Sequence, residues 1–222
     1  MLILALDAST GVVTVAVARE TGREVLAEIS VPSRGASEAL LPAAHAALGL
    51  AGTELGEVER ILVGVGPGTF TGIRIALATA RALAFTIGAA LSVNTTLAAL
   101  AAPALVSAEK PDVLAVLDAK RRQVFVQRFT GDARGEILCA TPEELSAKDA
   151  PLVVGDGAVR YRKALSDLGR IPSDGSPLHR VTAVGHVLSA DLRPVPLEKA
   201  VPLYVREPDA EVRRDLNPWS SA

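Results

Sequence analysis

Residues 64 to 85 read GVGPGTFTGIRIALATARALAF, and no other stretch constrains the chain as much. An apolar run, Ile61-Leu62-Val63, leads into a loop of glycine, proline and threonine from Gly66 to Gly72. The helix that follows contains no proline and, after Gly72, no glycine. Glycine admits backbone conformations closed to other residues and lets a second surface approach closely. A glycine-rich turn at a helix N-terminus also exposes unpaired N–H groups that suit an anion. The loop therefore meets either a phosphate or another protein surface.

Two nucleotide motifs fail here. The P-loop requires Lys and then Ser or Thr after its closing glycine, whereas Gly72 is followed by Ile73 and Arg74. The dinucleotide fingerprint requires glycine at its first, third and sixth positions, and the sixth position counted from Gly64 is Thr69. In the helix, Phe70, Ile73, Leu77, Ala80 and Ala84 form one apolar stripe. Ile75, Ala78, Ala82 and Phe85 lie largely elsewhere, and only Arg74 and Arg81 are charged. A helix apolar nearly all round is buried on most sides. Its own fold covers one face; a partner, or a central position within the chain, accounts for the other.

The totals set the frame. The 222 residues suit one large domain or two lobes. At 49% hydrophobic and 22% charged, the chain has the material for a sizeable core. A net charge of −2 lacks the basic surplus of a stand-alone nucleic-acid binder. It is compatible with a subunit of an RNA-processing assembly. Cys139 is the single cysteine, which leaves no intrachain disulfide and fits a reducing compartment. The start has no basic lead and meets Asp7 early, unlike a signal peptide. No apolar run is expected to span a bilayer. A cytoplasmic protein with no membrane contact is expected.

The patterning predicts strands over Leu2–Leu6, Val12–Ala18 and Glu24–Ser30, then a helix capped by Ser37 and interrupted or delayed at Pro42. A strand over Arg60–Val65, the central loop and helix, a strand at Ala90–Val93 and an Ala/Leu helix ending near Pro103 follow. The order is βββαβαβα. It then restarts. Residues 112 to 119, DVLAVLDA, resemble 1 to 8, MLILALDA, and Gln123–Phe129 matches the second strand. A third strand at Glu136–Ala140 and helices from Thr141, at Ala158–Leu168 and at Thr182–Leu192 complete a weaker copy. Such duplication is the mark of paired lobes. The lobes are placed at 1–105 and 106–200, with a boundary near Pro103 to Pro111 and a tail, 201–222, returning to the first lobe.

Candidate sites are few. Asp7, Ser9 and Thr10 end the first strand and could hold a phosphate and, through water, a metal. The same residues are also ordinary turn formers. The matching turn in the second lobe, Asp118-Ala119-Lys120-Arg121-Arg122, has neither glycine nor hydroxyl. Its basic run faces an acidic partner, an RNA backbone or solvent. His45, His179 and His186 are scattered, with no H-x-x-x-H, and read as surface or core filler. No G-x-S-x-G elbow occurs.

ILALDAST at 3–10, SEALLP at 37–42, GPGTFTGIRIALATARALA at 66–84, LDAKRRQVF at 117–125, GDGA at 155–158 and PLYVREPDAE at 202–211 together resemble the bacterial TsaB (YeaZ) family. The resemblance implies an α/β fold of duplicated βββαβαβα lobes, that of the actin, sugar-kinase and Hsp70 superfamily, with the second lobe degenerate. It further implies a non-catalytic subunit in the making of threonylcarbamoyladenosine at position 37 of tRNAs that read A-starting codons. A paralogous subunit, TsaD, carries the metal-binding histidines and the transfer, and TsaE, an ATPase, joins them. Pairing with TsaD or with a second copy runs through the first-lobe helices. Thr69, Phe70, Thr71, Arg74, Leu77, Ala78 and Arg81 are thereby the expected interface, and Asp7, Ser9 and Thr10 a vestigial nucleotide turn. ATP is expected only within the complex, and tRNA only through it. Ala36 stands where the family has histidine, and Thr69 and Ala76 replace its serine and glycine. The competing readings are a stand-alone ATP-binding kinase or ATPase of the same superfamily and, with no nucleophile–base pair to support it, a peptidase.

Overall fold

The computed structural model describes residues 1–32, 35–107, 112–131, 133–147 and 149–206. Five strands make the first sheet: β1 (Leu2–Asp7), β2 (Val12–Arg19), β3 (Glu24–Pro32), β4 (Arg60–Gly64) and β5 (Ala90–Asn94). Their order is β3-β2-β1-β4-β5. The first three run antiparallel as a meander, while β4 and β5 add parallel to β1. Helices α1 (Ala36–Leu50) and α2 (Phe70–Ile87) make the crossovers that parallel strands require. Strands β1 and β4 are buried almost throughout, as befits a sheet covered on both faces.

The second sheet repeats the plan in reduced form. It contains β6 (Asp112–Lys120), β7 (Gln123–Thr130), β8 (Ala133–Arg134), β9 (Leu138–Ala140) and β10 (Leu152–Val154). Strands β6 and β7 are antiparallel, and β10 is parallel to β6, as β4 is to β1. Helices α4 (Asp156–Arg160) and α5 (Arg162–Leu165) follow β10. Among the described residues no strand corresponds to β5, so this lobe is the degenerate one.

Four apolar clusters sit on the four sheet faces. Helices α1 and α2 cover one face of the first sheet through Leu40, Ala47, Ile73, Leu77 and Ala80. Its other face is covered from far along the chain, by Ala183 and Val187 of α6 (Ala183–Ser189), against Ile3, Ala5 and Leu62. Helix α3 (Thr96–Val106) belongs by sequence to the first half, yet its Leu97, Leu100 and Ala101 pack with Val113, Leu117 and Phe125 of the second sheet. The remaining face packs Val116 and Val153 with Leu165. Helices α3 and α6 cross between the sheets, so closely that a Cβ on Gly185 would lie 2.2 Å from the carbonyl of Ala99. A lobe limit at 105 therefore divides α3 from the core it fills.

Several boundaries differ from the sequence reading. Helix α1 starts at Ala36 with Gly35 as its cap, not Ser37, and passes through Pro42 without ending. Helix α3 continues through Pro103 to Val106; Thr95 Oγ1 caps it by accepting Ala98 N–H at 3.2 Å. The helix expected from Thr141 is a single 3-10 turn, Pro142–Glu144, closed by a reciprocal capping box. The one expected at 158–168 breaks at Tyr161, which lies outside helical dihedrals. Helix α6 ends at Ser189. Helix α2, with 18 residues and mean hydropathy 1.3, is long and apolar enough to cross a membrane by length and composition, contrary to expectation. Only Arg74 and Arg81 are charged within it, and its buried face lies on the first sheet, as in the core helix of a globular protein. The tail from 207 onward and part of the lobe boundary, 108–111, lie outside the described residues.

Candidate functional site

Strand β1 delivers Asp7 to the end of the first sheet with no exposure. Its Oδ1 accepts the Ser9 N–H at 2.7 Å and the Ser9 hydroxyl at 2.8 Å. That hydroxyl has spent its proton, so it accepts in turn from Thr96 Oγ1, 2.9 Å away on α3. Asp7 Oδ2 lies 2.9 Å from His186 Nε2 on α6. An ionised carboxylate only accepts, which places a proton on Nε2. His186 Nδ1 is buried without a partner among the described residues. Ser9, Thr96 and His186 are all buried, and Thr10 is half-buried. Reading His186 as filler was thus incomplete; it closes the carboxylate that the sequence offered to a metal. His179 is also buried, accepting Gly155 N–H at Nδ1, and His45 is exposed.

The glycine loop lies on this turn. Thr69 N–H donates to the Ser9 carbonyl at 2.7 Å. A Cβ on Gly68 would lie 2.2 Å from Ser9 O, one on Gly72 would lie 1.8 Å from Ala8 O, and one on Gly64 would strike Asp7 Oδ2. The glycines bring two backbones together. A phosphate or metal at this turn would have to compete with bonds already made. Asp7 already has three donors, and the Cα atoms of Gly68 and Gly72 lie against the Ser9 and Ala8 carbonyls. Among the described residues no group of three or more His, Cys, Asp or Glu side chains could hold a metal.

In the second lobe the matching carboxylate is Asp118, 4% exposed. It accepts Lys120 N–H and Lys120 Nζ, both at 2.9 Å, and Arg160 Nε is 3.6 Å away. Burial pushes its pKa up, but the Lys120 bonds and the Lys120 and Arg160 charges outweigh this and hold it below the usual carboxylate range.

The presented surface is on α2. Phe70, Thr71, Arg74, Ala78, Arg81, Ala82 and Phe85 are exposed, as is Thr69 before the helix. Phe70 is 41% and Phe85 79% exposed, unusual for large apolar side chains on one helix face. The Arg74 guanidinium sits 3.6 Å from the Phe70 ring centroid, and its Nε donates to the Tyr204 hydroxyl at 2.8 Å. Phe70 and Tyr204 stack with centroids 5.4 Å apart. Leu203 N–H, bonded to Val65 O at 2.8 Å, brings Tyr204 there. Leu77 belongs to the opposite side. It is 4% exposed and packs into the core with Ile73 and Ala80, so its side chain is not part of the face. Tyr204, Phe85 and His186 were missed. Phe85 continues the Ala78–Ala82 side of the helix and was readable; Tyr204 and His186 meet their partners only through the fold.

Two lobes of one strand plan, helices on both sheet faces and a crossing helix pair between them define the fold of the actin, sugar-kinase and Hsp70 superfamily. The family model described as TsaD, tRNA N6-adenosine threonylcarbamoyltransferase, matches residues 27–150. An uncharacterized protein of Mycobacterium tuberculosis is 32% identical over 210 residues, covering 94% of this chain and 93% of its own. The tRNA threonylcarbamoyladenosine biosynthesis protein TsaB of Bacillus subtilis is 32% identical over 185 residues, 76% of each chain. The solved structure of YeaZ from Pseudomonas aeruginosa superposes with a TM-score of 0.75 at 25% identity, covering 91% of this chain and 100% of that one. The chain belongs to the TsaB (YeaZ) family.

Proposed function

We propose that this chain works in tRNA threonylcarbamoyladenosine biosynthesis as a non-catalytic subunit, binding and activating a TsaD-like enzyme. That enzyme modifies adenosine 37 of tRNAs reading A-starting codons. The names of its relatives support the pathway. The observation that carries the subunit role is the α2 face, where two exposed phenylalanines flank a stripe of small residues and a pinned arginine. Aromatic and arginine anchors beside small residues are the make-up of an interface core. The same face serves a second copy when the enzyme is absent. A TsaE-like ATPase joins the complex in the cytoplasm, ATP enters only with the complex, and tRNA reaches this chain through it. A stand-alone kinase is disfavoured by the closed Asp7 turn. Mixing the purified chain with a TsaD-like subunit should give a stable heterodimer at micromolar concentration and raise its threonylcarbamoylation of tRNA. No association at that concentration, or magnesium-ATP binding by the lone chain that Asp7→Ala abolishes, would overturn the reading.

A further inference from the structure

We infer that the tip of the β6–β7 hairpin is an RNA phosphate site, holding the backbone of the substrate tRNA through Lys120, Arg121, Arg122 and Arg160. The inference rests on the proposed role in tRNA modification and adds the surface by which this chain touches the RNA. Lys120 pairs with Gln123, so Arg121-Arg122 forms a two-residue loop. Both residues have positive φ, 51° and 61°, and Lys120 before them has 62°. A two-residue loop of that kind favours Asn-Gly. Six non-glycine residues have positive φ among the described residues, and half of them are these three adjacent basic ones. The turn thus forgoes the residues its backbone prefers and carries three cations instead. Conformations of this cost persist where function holds them.

The surroundings add to the charge. Lys120 is 69% and Arg160 62% exposed by side chain, and Arg160 approaches from α4 to 3.6 Å of Asp118. Arg206 Nη1 reaches Ala119 O and Gln123 Oε1 at the hairpin's base. Among the described residues the carboxylates here are Asp118, turned inward, and Asp156, which accepts the Asp118 N–H. Basic side chains among the described residues thus cluster at this tip on a chain whose total charge is −2. Guanidinium forks match phosphate oxygens in pairs. Backbone recognition needs charge and no apolar anchor. None of the exposed large hydrophobic residues lies at this tip, unlike the α2 face. A protein interface centres on such anchors, so RNA is favoured over an acidic protein.

The double variant Arg121→Asn, Arg122→Gly supplies the preferred turn and removes two charges. Its melting temperature should equal or exceed that of the parent chain, and its association with the catalytic subunit should be unchanged. By fluorescence anisotropy, the affinity of that complex for an unmodified tRNA transcript should fall about tenfold near 0.1 M salt, with the log–log salt slope shallower by about one to two. Lysine at both positions should restore the slope. Unchanged affinity and slope would overturn the site. So would a loss confined to subunit association without RNA, which would mark an acidic protein surface, or to ATP binding by the complex. If the parent chain forms no complex, the proposed function fails instead. The same titration on the chain alone then decides the hairpin.

Discussion

His186 Nε2 lies 2.9 Å from Asp7 Oδ2 across 179 residues of chain, and neither side chain has any exposure. The pair fastens α6 to the end of β1. Removing His186 leaves Asp7 Oδ2 buried without its donor, although Oδ1 keeps the two Ser9 bonds, and this costs about 1–3 kcal/mol. His186→Ala should therefore lower the melting temperature by at least about 2 °C in a chain of this size. His186→Gln, which keeps a donor, should lose less. Thr96→Val should cost only about 1 kcal/mol, the value of one hydroxyl donor. Calorimetry on the three variants checks the ranking; an unchanged transition in His186→Ala would remove the pair from the account.

The glycine loop makes a second test of what its glycines are for. If Gly72 is there to let α2 meet the first turn, a single methyl is too much, because its Cβ would lie 1.8 Å from Ala8 O. Backbone cannot give way as a side chain tip does. Gly72→Ala should cost about 3 kcal/mol, the upper end for overpacking. Gly49→Ala, in helix α1 with nothing within 4 Å of the added carbon, should stabilise by about 0.5–1 kcal/mol. Urea titration of both variants separates a packing role from a general intolerance of alanine.

Much of the fold was legible because it is local. The βββαβαβα order, the repeat of MLILALDA by DVLAVLDA and the stripe Ile73-Leu77-Ala80-Ala84 are periodic signals within one element or between adjacent ones. The misreadings share a cause. Helix α3 is apolar all round, so periodicity gave no hint that it fills the second core. His186 meets Asp7, and Tyr204 meets Phe70, only after the chain has folded back. The Asp7-Ser9-Thr10 turn looked open because sequence names the residues that could bind a phosphate, not those already bonded to them. Ser37 failed as a cap because Gly35, two residues earlier, takes that place, a difference too small for propensity to separate.

Asp118 gives the protein a pH dependence of known sign. Burial alone would raise its pKa, but the bonds and charge of Lys120, with Arg160 beside it, bring it below the usual range. A carboxyl with a depressed folded pKa stabilises fully above its unfolded pKa of about 4. That contribution is lost as pH falls below 4 and through the folded pKa. Asp118→Asn should therefore lower the melting temperature at pH 7, and the gap to the parent chain should close as pH falls toward 2. Lys120→Ala should narrow the same gap from the other side. A gap that stays constant from pH 7 to 2 would show that Asp118 does not titrate as its partners require.

Two neighbouring residues of α2 separate folding from association. Leu77 is 4% exposed in the core shared with α1 and β4, and Ala78 points away from that core among exposed residues. Leu77→Glu buries an unpaired carboxylate, on top of the loss of about 2–5 kcal/mol for an emptied leucine site. It should fail to fold or melt far below the parent chain. Ala78→Glu changes surface alone and should leave stability within about 0.5 kcal/mol. At the centre of the proposed interface the same carboxylate would be desolvated at a cost, so the proposed association with a TsaD-like subunit and with a second copy should weaken by at least about tenfold, worth about 1.4 kcal/mol. Analytical ultracentrifugation of each variant, alone and mixed with the enzyme, reads both effects. An Ala78→Glu chain that folds and associates like the parent would move the interface off this face of α2.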